Sequence, residues 1–236
     1  MRPLVTTARL TGVAYLSLAL TGMAGYLVIR SLLYAPGDPG ATLGRLTEQP
    51  ALAQLGVVVE LLVVVSQALA ALGFFALFRR DHPTVAFGVA AFGMANAVAT
   101  MASAAFLGTA LAVVTDPALA PAGDTAGTVG LLYGLSDASW SVGNVFFGLW
   151  LIPMGWFAIS TGRMPKVLGW TLIVGGVGYV VSALLGPVSA LGMVADALAY
   201  LATVGELWMI GYLLTVGIRR APAAASASAS EAVLVR

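Results

Sequence analysis

Cysteine is absent from the 236-residue chain, and histidine and lysine each occur once. The missing thiols exclude disulfides, thiolate nucleophiles and cysteine metal sites. A zinc protease needs His-Glu-x-x-His, but the single histidine, His82, stands in the turn "RRDHP" at 79–83 and reads as a solvated turn residue. For the same reason haem cannot be held by two histidines. The only lysine, Lys166, lies in the loop "STGRMPK" at 160–166, so no intramembrane lysine is present to form a Schiff base. Charged residues make up only 9% of the chain and form no basic patch, so nucleic acid is not an expected partner. Glycine-rich phosphate loops, nucleophile elbows and lipidation motifs are also missing. Neither a metal nor a cofactor is therefore expected.

What the chain has in excess is apolar surface. Hydrophobic residues reach 60% and the mean hydropathy is +0.97, far from the makeup of a soluble domain. A helix needs about 20 mostly apolar residues to cross a bilayer core. Six stretches qualify, at roughly 10–29, 51–78, 84–114, 128–159, 167–186 and 193–218. The third and fourth exceed the length required, which predicts tilt, with a kink at Pro153. The intervening segments, such as "YAPGDPGATLGRLTEQP" at 34–50 and "TDPALAPAGDTAG" at 115–127, are rich in helix-stopping residues and are expected to be loops.

The first stretch follows Arg2 and Arg9 like the front of a signal peptide, but no small-x-small cleavage site follows it, and it is expected to be a retained span. The fold class expected is an all-α, polytopic transmembrane bundle over residues 1–220. The low-complexity tail at 221–236, "APAAASASASEAVLVR", is expected to be disordered. Orientation follows from lysine and arginine, which are retained on the cytoplasmic side. Placing both termini inside leaves only Arg30 and Arg45 outside, against nine basic residues inside. The expected location is a membrane crossed six times, with the lipid bilayer as the first partner.

Within the spans, "VVVELLVVV" at 57–65 sets Glu60 among eight valines and leucines. Glu60 lies nine positions after Ala51, Asp137 nine after Thr128 and Glu206 ten after Asp196, so the three carboxyls are expected at one level, roughly 14 Å into their helices. Gln67 follows Glu60 at i+7, Asn96 leads a stripe with Thr100 and Ser103, and Asp137, Ser141 and Asn144 form another. Charges facing lipid cost several kcal/mol, so these stripes are expected to face the bundle interior. The candidate ligand- or proton-binding residues are therefore Glu60, Asp137, Glu206, Gln67, Asn96 and Asn144.

Two functions fit that pattern. The first is binding or carriage of a proton, a small cation or a cationic amphiphile; the second is an accessory protein whose polar residues only pack helices and whose partners are other membrane proteins. An enzyme acting on lipid ranks third, since no catalytic nucleophile or metal motif is present. The segments "ALAQLGVVVEL" at 51–61 and "ALAYLATVGEL" at 197–207 agree at seven of 11 positions. A parallel repeat explains this, and so do two alanine- and leucine-rich helices with one packing style.

The stretch "FFGLWLIPMGWFAISTGRMPKVLGWTLIVGGVGY" at 146–179, with its turn "TGRMPKVLG", its "GGVGY" and the later "GELW" at 205–208, resembles the bacterial membrane family named only as domain of unknown function 4386. The resemblance runs from about residue 8 to 218. It implies a six- or seven-span inner-membrane protein without an established activity, and it supplies no catalytic residues.

Overall fold

The computed structural model describes residues 2–185 and 192–219. The tail at 221–236 lies outside the described residues. Helix α1 (Arg2–Gly22) runs through a π-helical segment (Met23–Ile29) into α2 (Arg30–Leu33), giving one continuous rod. Helix α3 (Pro39–Glu48) is short, and the long helices α4 (Pro50–Phe78), α5 (Pro83–Thr115), α6 (Thr125–Thr161), α7 (Lys166–Leu185) and α8 (Gly192–Thr215) follow. All described secondary structure is helical, with no strand among the described residues. Among the described residues, five helical rods are long and apolar enough to cross a membrane: Leu4–Leu33, α4, α5, α6 and α7.

Local sequence explains where these helices begin and end. Asp38 accepts a hydrogen bond from the Ala41 N–H at 2.8 Å, and Pro39 takes the first helical position, so part of the expected loop 34–50 winds into α3. Asp124 caps α6 in the same way, accepting from the Gly127 N–H at 2.9 Å. Helix α6 continues without interruption through Pro153 and ends at Gly162, whose φ of +62° is the left-handed geometry of a glycine stop.

The rod α1–α2 packs against α4 and α8, and α4 then meets α5, α5 meets α6, α6 meets α7 and α7 meets α8. Six helices thus close into a ring in chain order, with α3 lying on α6. The α6–α7 seam brings backbones close together. A Cβ on Gly148 would meet the Gly176 carbonyl oxygen at 2.5 Å, and Gly155 and Gly169 face each other in the same manner.

Inside the ring are two apolar cores. One contains Leu33, Leu46, Ala53, Val113 and Val129; the other contains Phe74, Phe78, Trp150, Phe157 and Leu213. Between them lies a layer of buried polar side chains: Arg30, Glu60, Gln67, Asn96, Ser103 and Ser136. At the end of the bundle carrying most of the basic residues, Arg163 bridges to Asp81 at 2.7 Å. The Arg163 carbonyl oxygen accepts from the Tyr212 hydroxyl at 3.1 Å and from the Arg219 N–H at 3.2 Å. The "TGRMPK" turn thereby ties the α4–α5 loop to the end of α8.

Candidate functional site

Glu60 meets a positive charge after all. Arg30, buried to 8% exposure, extends into the polar layer, with Nη2 3.6 Å from Glu60 Oε1 and Nη1 3.7 Å from Asp137 Oδ1. The sequence alone puts Arg30 just past the outer end of the first span; the helix runs on beyond it, and its side chain is buried among the other helices. The helix does not stop at residue 29: Ser31, Leu32 and Leu33 carry it on, and the long guanidinium stem reaches back among the other helices. Sequence contained that signal, since "SLLY" after Arg30 prolongs the apolar run.

The cluster is densely hydrogen-bonded. Arg30 Nη2 donates to Ser136 Oγ at 2.6 Å and, more weakly, to Ser103 Oγ at 3.4 Å. Glu60 Oε1 accepts from the Ser103 hydroxyl and from Trp140 Nε1, the latter at 2.6 Å. The Tyr26 hydroxyl donates to Asp137 Oδ1 at 3.2 Å, and its ring lies under the Arg30 guanidinium at 5.2 Å. Tyr26 belongs to the π-helical segment that ends one residue before Arg30. π-Helical turns re-aim the side chains that follow them, and here the segment sits directly beneath the charged cluster.

Burial separates the two carboxylates. Glu60 is 3% exposed at its side chain, whereas Asp137 is 43% exposed. On α6, Ser136 and Gly143 are buried and Ser141 is exposed, so the inward face of α6 is displaced by about one residue from the expected Asp137–Ser141–Asn144 stripe. A helix that is apolar on all sides gives no periodic cue to choose between neighbouring faces. Arg30, Tyr26, Ser136 and Trp140 are not among the candidate site residues read from the sequence. A cavity beside Arg30, lined by Gly25, Gly56, Glu60, Leu107 and Tyr133 among others, has room for about one water molecule.

The remaining candidates divide. Gln67 and Asn96 are buried together, with Asn96 Nδ2 donating to Gln67 Oε1 at 3.3 Å. Gln67 Nε2 and Trp150 Nε1 both crowd Gly93, and neither has an acceptor among the described residues. Asn144 is half-buried on α6 and joins neither group. Glu206 stands apart from the Arg30 cluster, accepting from the Tyr15 hydroxyl at 2.9 Å with Tyr179 within hydrogen-bonding reach. On the first helical rod it is Gly25 that faces Glu60, so the expected common level of the three carboxyls is not the arrangement found. Of the two segments that agree in sequence, the first brings Glu60 to Arg30 and the second brings Glu206 to Tyr15.

Ring, apolar flanks and buried polar layer together define a polytopic α-helical membrane protein with internally paired charges. The chain belongs to the family described as a domain of unknown function (DUF4386), whose sequence profile matches residues 10–217. Neither a curated protein nor a solved structure matches it.

Proposed function

We propose that the chain crosses a bacterial plasma membrane six times, α8 being the sixth span, with both termini cytoplasmic. We further propose that the Arg30–Glu60–Asp137 cluster binds a small cation or the cationic head of an amphiphile arriving from outside. The orientation is supported by charge. With Arg30 withdrawn into the bundle, Arg45 is, among the described residues, the only basic one left on the outer side, against seven on the other.

The observation that carries the binding reading is one guanidinium held between two carboxylates. A cation already occupies the place where charge is wanted, and with both acids ionised the cluster keeps one negative charge in surplus. Asp137, the more exposed acid, is where a ligand's positive group docks, while Arg30 remains with Glu60. The orienting role falls to Gln67 and Asn96, hydrogen-bonded to each other in the same polar layer, and to Asn144 on α6. Thermal unfolding of the purified protein with alkylammonium, alkylguanidinium or sodium salts tests the idea, since a ligand that binds the folded state raises Tm with concentration. Wild type should respond to at least one of them, and Asp137→Asn should not. An equal response in both proteins rejects Asp137 as the docking group.

The accessory reading has an observation of its own. Tyr15, Phe74 and Trp150 meet edge to face at 5.1–5.8 Å and fill the ring's centre, and the cavity beside Arg30 is no larger than a water molecule. Under that reading the polar layer fixes helix positions and other membrane proteins are the partners. Single cysteines at Ser141, Val64 and Thr203 separate the two. Labelling of Ser141→Cys and one other by a membrane-impermeant thiol reagent supports an open site; unlabelled but folded variants favour the accessory protein.

A further inference from the structure

Glu206 lies well inside α8 (Gly192–Thr215), and the two helices flanking α8 each bring it a hydroxyl: Tyr15 from the first rod, at 2.9 Å, and Tyr179 from α7. Neither helix brings it a positive charge. Arg30 is engaged with Glu60 and Asp137, Arg45 with the Tyr34 carbonyl and Arg163 with Asp81. No lysine or arginine occurs anywhere from Val167 to Ile218 in the sequence. Arg9, the nearest basic residue along α1 to Tyr15, is exposed.

A carboxylate inside a membrane bundle with no counter-charge costs several kcal/mol, and taking up a proton removes that cost. Two tyrosine donors ease the cost without cancelling the charge. The site is also distinct from the outer cluster. Tyr15 lies about ten residues before Gly25, which faces Glu60, a separation of roughly 15 Å along the first rod.

We propose that Glu206, Tyr15 and Tyr179 form a proton-binding site in which the carboxyl is held neutral, its proton drawn from water. The proton converts the carboxylate to a carboxylic acid, and the two phenols hydrogen-bond to it from opposite sides of α8. This inference rests on the membrane-spanning reading and not on ligand binding at the Arg30 cluster.

Infrared spectroscopy of the purified full-length protein tests it, read through the carbonyl stretch of a protonated carboxyl. Wild type at neutral pH should show such a band, Asp137→Asn should keep it, and Glu206→Gln should lose it. Tyr15→Phe retains the ring and the acid but removes a donor, so the band should move to higher frequency. This variant decides the matter should Glu206→Gln not fold. A band unchanged by both substitutions, or absent from wild type, overturns the proposal. Either result leaves the response of the outer cluster to cations untouched, so the two readings fail separately.

Discussion

At the scale of single residues, the cluster turns on Arg30. Removing one partner of a buried ion pair strands the other charge, whereas replacing both with apolar side chains of similar size is often neutral or stabilising. Arg30 and Glu60 have side-chain exposures of 8% and 3%, so solvent offers little relief to a stranded partner. Arg30→Ala should lower stability by about 3 kcal/mol. Arg30→Met with Glu60→Met should recover most of that loss, as measured by reversible unfolding in detergent. Equal losses in the single and double variants would mean that packing around the guanidinium stem, and not its charge, holds the cluster. Sequence marked Glu60 as the anomaly of its helix, because a carboxyl among eight aliphatic neighbours is conspicuous. It hid Arg30, because depth read from an apolar window treats the first charged residue as the end of the span. Trp140 and Tyr26 were hidden for another reason: aromatic residues in a membrane helix are as readily lipid anchors as hydrogen-bond donors.

At the scale of helices, glycines decide how closely neighbours approach. A methyl group on Gly148 would lie 2.5 Å from the Gly176 carbonyl oxygen, and one on Gly176 would lie 2.6 Å from that of Gly148. Backbone cannot yield as a flexible side chain can, so Gly148→Ala or Gly176→Ala should cost roughly 2 kcal/mol by overpacking and spread α6 from α7. Gly108 and Gly211, also helical, have nothing within 4 Å of the corresponding position. There alanine only removes the flexibility of glycine, and stability should rise by about 0.5–1 kcal/mol. Unfolding of these four variants checks the contrast, and a uniform effect would show that the seam is looser than its geometry. The long helices were legible in the sequence because each combines an apolar run with turn residues at its ends. Which face of each looks inward was not, since helices apolar all round carry no stripe. The π-helical segment and α3 escaped for related reasons. A π turn has no marker in an apolar sequence, and the start of α3 lay within a segment crowded with proline and glycine.

At the scale of the whole molecule, the structure is a ring of helices with a polar layer between two apolar cores, and its orientation rests on charge alone. Among the described residues, seven of nine lysines and arginines fall at one end, and the Arg163–Asp81 bridge with the Tyr212 and Arg219 contacts knits that end together. Basic residues resist translocation, so this end should be cytoplasmic, with α3 and the turns at 116–124 outside. Because the chain has no cysteine, single cysteines report position without background. Glu48→Cys and Ala118→Cys, both at exposed positions, should react with an impermeant thiol reagent in intact cells. His82→Cys and Thr161→Cys should react only after permeabilisation. The reverse pattern would invert the molecule and place the Asp137 face toward the cytoplasm, where a ligand would have to come from inside the cell. Mixed labelling of one loop would instead mean that the charge difference does not enforce a single insertion. The outcome matters for Asp137 because accessibility from one side only is what lets a binding site distinguish the two faces of a membrane.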